Sequence, residues 1–311
     1  MPSKTLLYRQ IADDLAAILV EPVQSRAPEI QPRELLHRLR EICDETGAAL
    51  IVDEMITGFR MHPGGAQAVF EFRADLATYG KIVGGGYPLG IIAGCSRFMD
   101  ALDGGYWSFG DDSMPTVGVT YFAGTFVRHP VALAAARSVL LKMRECGPGL
   151  QEDLNRKTAD LTAELGDFVA AVSSRVHVHH CASWFEVTAP REETYMPLFF
   201  ALLRLKGFHV QDGRPFFLTT AHTDEDLAAF ATAFRESLAE LIVNDMLDGD
   251  KLAAHRVLRK SEIEPPVEGA KLGRDQHGNP GWFIADPDRD GKYLQVAAAG
   301  ADDSSSRQQQ K

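Results

Sequence analysis

Apolar positions in the first hundred residues fall into short β-rich runs separated by stretches of helical spacing, the pattern of a parallel α/β sheet. One run covers 15–20 and stops at Glu21-Pro22. Across 32–46, Leu35, Leu36, Leu39, Ile42 and Cys43 recur at helical intervals and predict a crossover helix, with Gly47 standing where a helix takes its left-handed terminating residue. The run 48–52 predicts the next strand, and it ends in Asp53-Glu54. Open α/β sheets bind ligands beyond the carboxyl ends of their strands, so acidic residues there mark a candidate site. A further stretch, 76–81, leads into Gly84-Gly85-Gly86, where the backbone turns tightly or comes close to something.

Residues 130–165 read as largely helical. The stretch from about 175 to 240 returns to mixed structure: a strand near 184–187, a helix near 197–206, a strand near 216–218, and a helix opened by Thr223 with Asp226 in the reciprocal capping position. That is a smaller α+β domain. After about residue 258 the periodicity fades, and Pro265-Pro266, Gly278-Asn279-Pro280 and Asp286-Pro287 punctuate a polar linker. The last eight residues, Ser304 to Lys311, are low in complexity and expected to be disordered. The expected division is therefore 1–145, part of a large α/β domain; 146–250, a small α+β domain; and 251–311, linker and tail.

Composition narrows the function. The 311 residues are 45% hydrophobic, enough for a sizeable core, and carry a formal charge of −11 that disfavours nucleic acid or an anionic membrane as partner. Neither a long apolar span nor a signal-peptide pattern stands in the sequence, and the expected location is the cytoplasm. Cys43, Cys95, Cys146 and Cys181 are scattered, with no disulfide framework or zinc spacing. His177 and His179 share a strand face but have no evident third ligand, so no metal is assigned.

The pairing that carries chemistry is Asp53 with Lys81, 28 residues on, in the loop Thr78-Tyr79-Gly80-Lys81-Ile82-Val83-Gly84-Gly85-Gly86. An aldehyde cofactor needs an amine to form a Schiff base and a carboxylate to keep its pyridine nitrogen protonated. A helix cap plus a surface lysine is the plainer alternative. The surrounding wording resembles the class III, fold type I, pyridoxal-phosphate aminotransferases, most closely the glutamate-1-semialdehyde aminomutase branch. The matching segments are Leu50-Ile51-Val52-Asp53-Glu54-Met55-Ile56-Thr57-Gly58-Phe59-Arg60, Tyr79 to Gly90, Tyr121-Phe122-Ala123-Gly124-Thr125-Phe126 and Ala221-His222-Thr223-Asp224-Glu225-Asp226, and the likeness runs from about residue 10 to about 242.

The resemblance implies a mixed, mostly parallel α/β sheet with flanking helices, the C-terminal part of that fold, followed by the small domain. It implies pyridoxal 5'-phosphate as cofactor and Lys81 as the catalytic residue, forming the internal aldimine and then shuttling a proton. By the same likeness Asp53 pairs with the pyridine nitrogen, Met55 packs on one ring face, and Ile56 lies near the ring oxygen. Thr125 reaches the phosphate of a neighbouring subunit, making a homodimer part of the site, and Glu21 supports the pocket. Arg60 either meets a substrate carboxylate or thioester arm, or forms a structural ion pair.

The family's N-terminal half, with its phosphate-binding turn, is not found, so the chain is expected to need an upstream segment, either carried on another polypeptide or lost, and to bind the cofactor weakly or be inactive alone. The polar stretch 265–296 resembles the linker after aminotransferase domains of hybrid polyketide/nonribosomal peptide synthetases; an ordinary polar tail is the alternative. The implied reaction is ping-pong transfer of an amino group from an amino-acid donor to a keto or carrier-protein-bound β-ketoacyl acceptor. Two alternatives stand beside it, a glutamate-1-semialdehyde 2,1-aminomutase and a non-catalytic dimerisation or docking fragment.

Overall fold

The computed structural model describes residues 14–105, 107–108, 110–120, 123–263, 270–274, 280–287, 289 and 292–296. Strand β1 (Ala17–Val20) is followed by helix α1 (Arg33–Thr46), which ends on Gly47 at φ 75° with its N–H donated to the Cys43 carbonyl, as the spacing predicts. Strand β2 (Ala49–Asp53), the short helix α2 (Gly65–Phe70) and strand β3 (Leu76–Tyr79) come next; a 3₁₀ turn (Lys81–Gly84), strand β4 (Ile91–Gly94) and helix α3 (Ser96–Asp103) follow. Strands β1, β2 and β3 are parallel and β4 lies antiparallel to β3, in the order β1-β2-β3-β4. Leu50 and Val52 of β2 are fully buried and pack with Leu36 of α1, Val23 and Phe70 in the core of this unit.

The helical stretch beyond 130 is two helices, α4 (Pro130–Cys146) and α5 (Gly149–Val172). Gly147 at φ 66° and Pro148, which has no N–H to donate, break it. The second unit is a three-stranded antiparallel sheet of β5 (His177–Cys181), β6 (Trp184–Thr188) and β7 (Phe216–Phe217), in the order β5-β6-β7. Helices α5, α6 (Met196–Leu205) and α7 (Asp224–Val243) cover it. Leu165, Phe185, Phe199, Leu203, Phe234 and Ile242 fill its core, each at most 1% exposed. The capping box forms as predicted: Asp226 N–H donates to Thr223 Oγ1 at 3.1 Å, and Thr223 N–H to Asp226 Oδ2 at 2.9 Å.

The expected linker is more ordered than its composition suggests. Helix α8 (Lys251–Ile263) packs on α7 and inserts Ala254, fully buried, into the small-unit core. Beyond it, β8 (Lys271–Arg274), β9 (Pro280–Ala285) and β10 (Tyr293–Val296) form an antiparallel sheet in the order β10-β9-β8. Antiparallel neighbours need only a short connection between them; Pro280 opens β9, and Asp286-Pro287 follows its last residue, Ala285. The low-complexity tail lies outside the described residues.

Candidate active site

Parallel pairing brings the carboxyl ends of β1, β2 and β3 to one edge of the sheet. Val20 is in register with Val52 and Asp53 with Thr78, so Glu21, Asp53 and Lys81 leave three adjacent strands side by side. The Glu21 carboxyl registers this proximity. Burial holds it above the usual carboxylate range, and the Asp53 charge pushes the same way, against a backbone hydrogen bond at Ser25 and the Lys81 cation.

Asp53 is fixed from two sides through one oxygen. The Met55 N–H donates to Oδ1 at 2.9 Å and the Thr78 hydroxyl to the same atom at 3.2 Å. Oδ2 takes no hydrogen bond among the described residues and is left for another donor. Lys81 opens the 3₁₀ turn at φ 49°, with an exposed side chain whose amine has no hydrogen bond or salt bridge among the described residues. Met55 lies against Gly80, the residue before that lysine: a Cβ on Gly80 would stand 2.4 Å from the Met55 methyl and 2.9 Å from its sulfur. A flat ring carrying an aldehyde and a protonated nitrogen suits this donor set, with a free amine, a carboxylate oxygen without a partner and a thioether wall.

The other residues singled out from the sequence lie elsewhere. Ile56 is half-buried against the large-unit core, and its carbonyl accepts from Arg60 Nε at 3.2 Å. Arg60 is 9% exposed, donates from Nη1 to the Ser183 hydroxyl at 3.1 Å and covers the Phe217 ring at 4.6 Å. Burial lowers its guanidinium to about 10. It forms no salt bridge among the described residues, so the structural ion pair considered for it is not present there, and its visible contacts join the two units. Thr125 is exposed in the turn that precedes α4. His177 and His179 stack with ring centres 5.9 Å apart, and the described residues hold no group of three His, Cys, Asp or Glu placed to bind a metal.

Several supporting residues went unrecognised in the sequence. The Gln151 and Asn155 amides of α5 donate to the Phe59 and Met61 carbonyls at 3.1 and 3.0 Å, holding the turn in which Phe59 adopts φ 61°. Trp184 packs into the large-unit core from β6. These contacts join residues about 90 or more positions apart, and no local signal announces them. Glu54 was visible as half of an acidic pair, but its partners were not.

A mostly parallel α/β sheet with a lysine and a carboxylate at adjacent strand ends presents the edge beyond which open α/β sheets bind ligands. The model of the family "Aminotransferase class-III" matches residues 3–186, and this chain belongs to that family. Among curated relatives, glutamate-1-semialdehyde 2,1-aminomutase of Alkaliphilus oremlandii is 34% identical over 255 residues, 77% of this chain and 56% of its own length. The enzyme of the same name from Ignicoccus hospitalis is 42% identical over 175 residues, 56% of this chain and 38% of its own. Among solved structures, a transaminase with PLP bound superimposes with a TM-score of 0.67 at 26% identity, covering 77% of this chain and 55% of its own. An omega-transaminase from Sphaerobacter thermophilus gives 0.66 at 26% identity, over 75% of this chain and 54% of its own. The chain thus spans about half the length of the relatives it matches. No described helix is long and apolar enough to cross a membrane.

Proposed function

We propose that this chain carries the lysine-bearing part of a pyridoxal 5'-phosphate-dependent aminotransferase that moves an amino group from an amino-acid donor to a keto acceptor. The observation that carries the reading is that the Lys81 amine and Asp53 Oδ2, neither with a partner among the described residues, share one sheet edge. Bound there, the cofactor supplies an electron sink for the carbanion that transamination creates. Lys81 would hold the cofactor's aldehyde carbon through Nζ and, as a free amine, would be the base that moves the proton at the substrate carbon. Asp53 Oδ2 would hold the protonated pyridine nitrogen, Met55 would pack beside the ring, and Glu21 would line the same edge.

The resemblance of the polar stretch 265–296 to the linker of hybrid polyketide/nonribosomal peptide synthetases supports, as acceptor, a β-ketoacyl thioester on a carrier protein. Ile92, Val119, Phe126 and Leu133 are each 46% or more exposed, large apolar side chains whose burial against further protein the reading supposes. A second copy of the chain, with Thr125 at the neighbour's phosphate, and an upstream phosphate-binding segment are the proposed occupants. A second reading, glutamate-1-semialdehyde 2,1-aminomutase, is favoured by the names of the curated relatives; formation of the tetrapyrrole precursor from the semialdehyde separates the two.

The test is an absorbance spectrum after incubation with pyridoxal phosphate, dialysis and borohydride reduction, for wild type and Lys81→Ala. A retained visible band that disappears in Lys81→Ala is the expected result. A folded wild-type chain that retains no cofactor would sink the catalytic reading for the chain alone and favour a docking fragment.

A further inference from the structure

Asp53 and Glu54 are successive residues at the end of β2, so their side chains leave the sheet toward opposite faces. Asp53 is part of the Lys81 cluster, whereas Glu54 turns inward and is 1% exposed. Among the described residues it has no basic partner. Its carboxylate is held by the Thr57 hydroxyl at 2.5 Å and the Ala66 N–H at 3.0 Å, both on Oε2, and by the Gln67 N–H at 3.1 Å on Oε1. The backbone of Glu54 adds two further ties: its N–H donates to the Thr78 carbonyl at 3.0 Å, and its carbonyl accepts from the Gly58 N–H at 2.9 Å.

Three segments meet at this residue. They are the start of α2, the 57–61 turn, and the end of β3 that leads into Lys81. Thr78 is shared, because its carbonyl binds Glu54 and its hydroxyl binds Asp53. A carboxylate removed from water and satisfied by hydrogen-bond donors alone resists displacement, since any lost donor leaves a buried charge short of a partner. We infer that Glu54 is a positioning residue: by locking β2, β3 and α2 together from the face opposite the cofactor, it fixes the Asp53 carboxylate and the Met55 backbone in register with Lys81. The inference rests on the proposed function for what Asp53 faces, but not for the geometry it controls.

The test is site-resolved amide hydrogen exchange on the cofactor-free full chain, comparing wild type, Glu54→Gln, Glu54→Asp and Leu165→Ala. The glutamine places N–H donors where backbone donors already point, the aspartate is one methylene too short to reach α2, and Leu165→Ala weakens a distant core. Expected are faster exchange at Ala66 and Gln67 and, in both Glu54 variants but not in Leu165→Ala, at least about tenfold faster exchange at Met55, whose N–H reports the Asp53 contact. Wild-type exchange at Met55 with faster exchange only at Ala66 and Gln67 would reduce Glu54 to a helix cap and overturn the inference. If Glu54→Gln fails to fold, the aspartate variant decides by the same criterion. Where wild type holds pyridoxal phosphate, the pH midpoint of its Lys81-dependent band should move in Glu54→Gln, and an unmoved midpoint also counts against the inference. A wild-type chain that builds no such band sinks the catalytic reading for the chain alone, and Met55 exchange still decides the role of Glu54.

Discussion

Gly65→Ala and Gly47→Ala change the same residue type at nearly the same backbone angle, φ 68° and 75°, yet the structure assigns them different costs. Left-handed backbone costs an alanine about 1–2 kcal/mol. The stiffer unfolded chain returns about 0.4–1 kcal/mol of that. Nothing lies within 4 Å of a Cβ on Gly47, so its penalty should stay near 1 kcal/mol. A Cβ on Gly65 would sit 2.5 Å from Glu54 Oε1 and 2.7 Å from Oε2, forcing the carboxylate off the Ala66 and Gln67 amides. Each hydrogen bond to a charged group contributes about 1.5–3 kcal/mol, so losing one brings Gly65→Ala to at least about 2 kcal/mol. Urea unfolding followed by circular dichroism, with unchanged m values, measures the difference. In a Glu54→Ala background the Gly65→Ala penalty should fall to the Gly47 value, because the clash is gone. Two variants equally destabilised in the wild-type background, within about 0.5 kcal/mol, would refute the claim that Glu54 occupies the space a Cβ needs.

Thr223→Ala removes one hydrogen bond of the capping box that opens α7 and should cost about 1 kcal/mol in thermal unfolding, whereas Thr223→Ser should cost less. Burial pushes the Cys181 thiol up to about 12, so at pH 8 a disulfide reagent should label exposed Cys146 and reach Cys181 only after denaturation; rapid labelling of Cys181 in the folded chain would contradict its packing. Glu21 has a folded-state pKa above its unfolded value, so the unfolded chain ionises first as pH rises. Its contribution is intact below the unfolded value, near 4.5, and is lost as pH rises through the raised folded pKa. Glu21→Gln should flatten the decline in stability across that window, and an unchanged slope would show that burial does not raise this carboxyl.

The sequence alone carried the local elements and the residues of the candidate site. Apolar spacing located β1, α1, β2 and the start of α7, because helix and strand periods and caps are properties of neighbouring residues. The motif around Asp53 and Lys81 was legible for a related reason: in a parallel sheet, residues at successive strand ends share one edge whatever packs behind them. Helices α2 and α3 went unread, since six- and eight-residue elements are too short for periodicity to stand out. Tertiary structure alone decided what surrounds the motif. Arg60 forms a contact between units because Ser183 and Phe217, more than 120 residues away, are folded against it. Glu54 holds three segments because Gly65 leaves room for its carboxylate. The polar stretch after 270 became a sheet because antiparallel strands satisfy their backbone through one another and need little apolar pattern to do so. Periodicity records which face a residue turns inward, but the group it meets there depends on chain packing over long sequence separations.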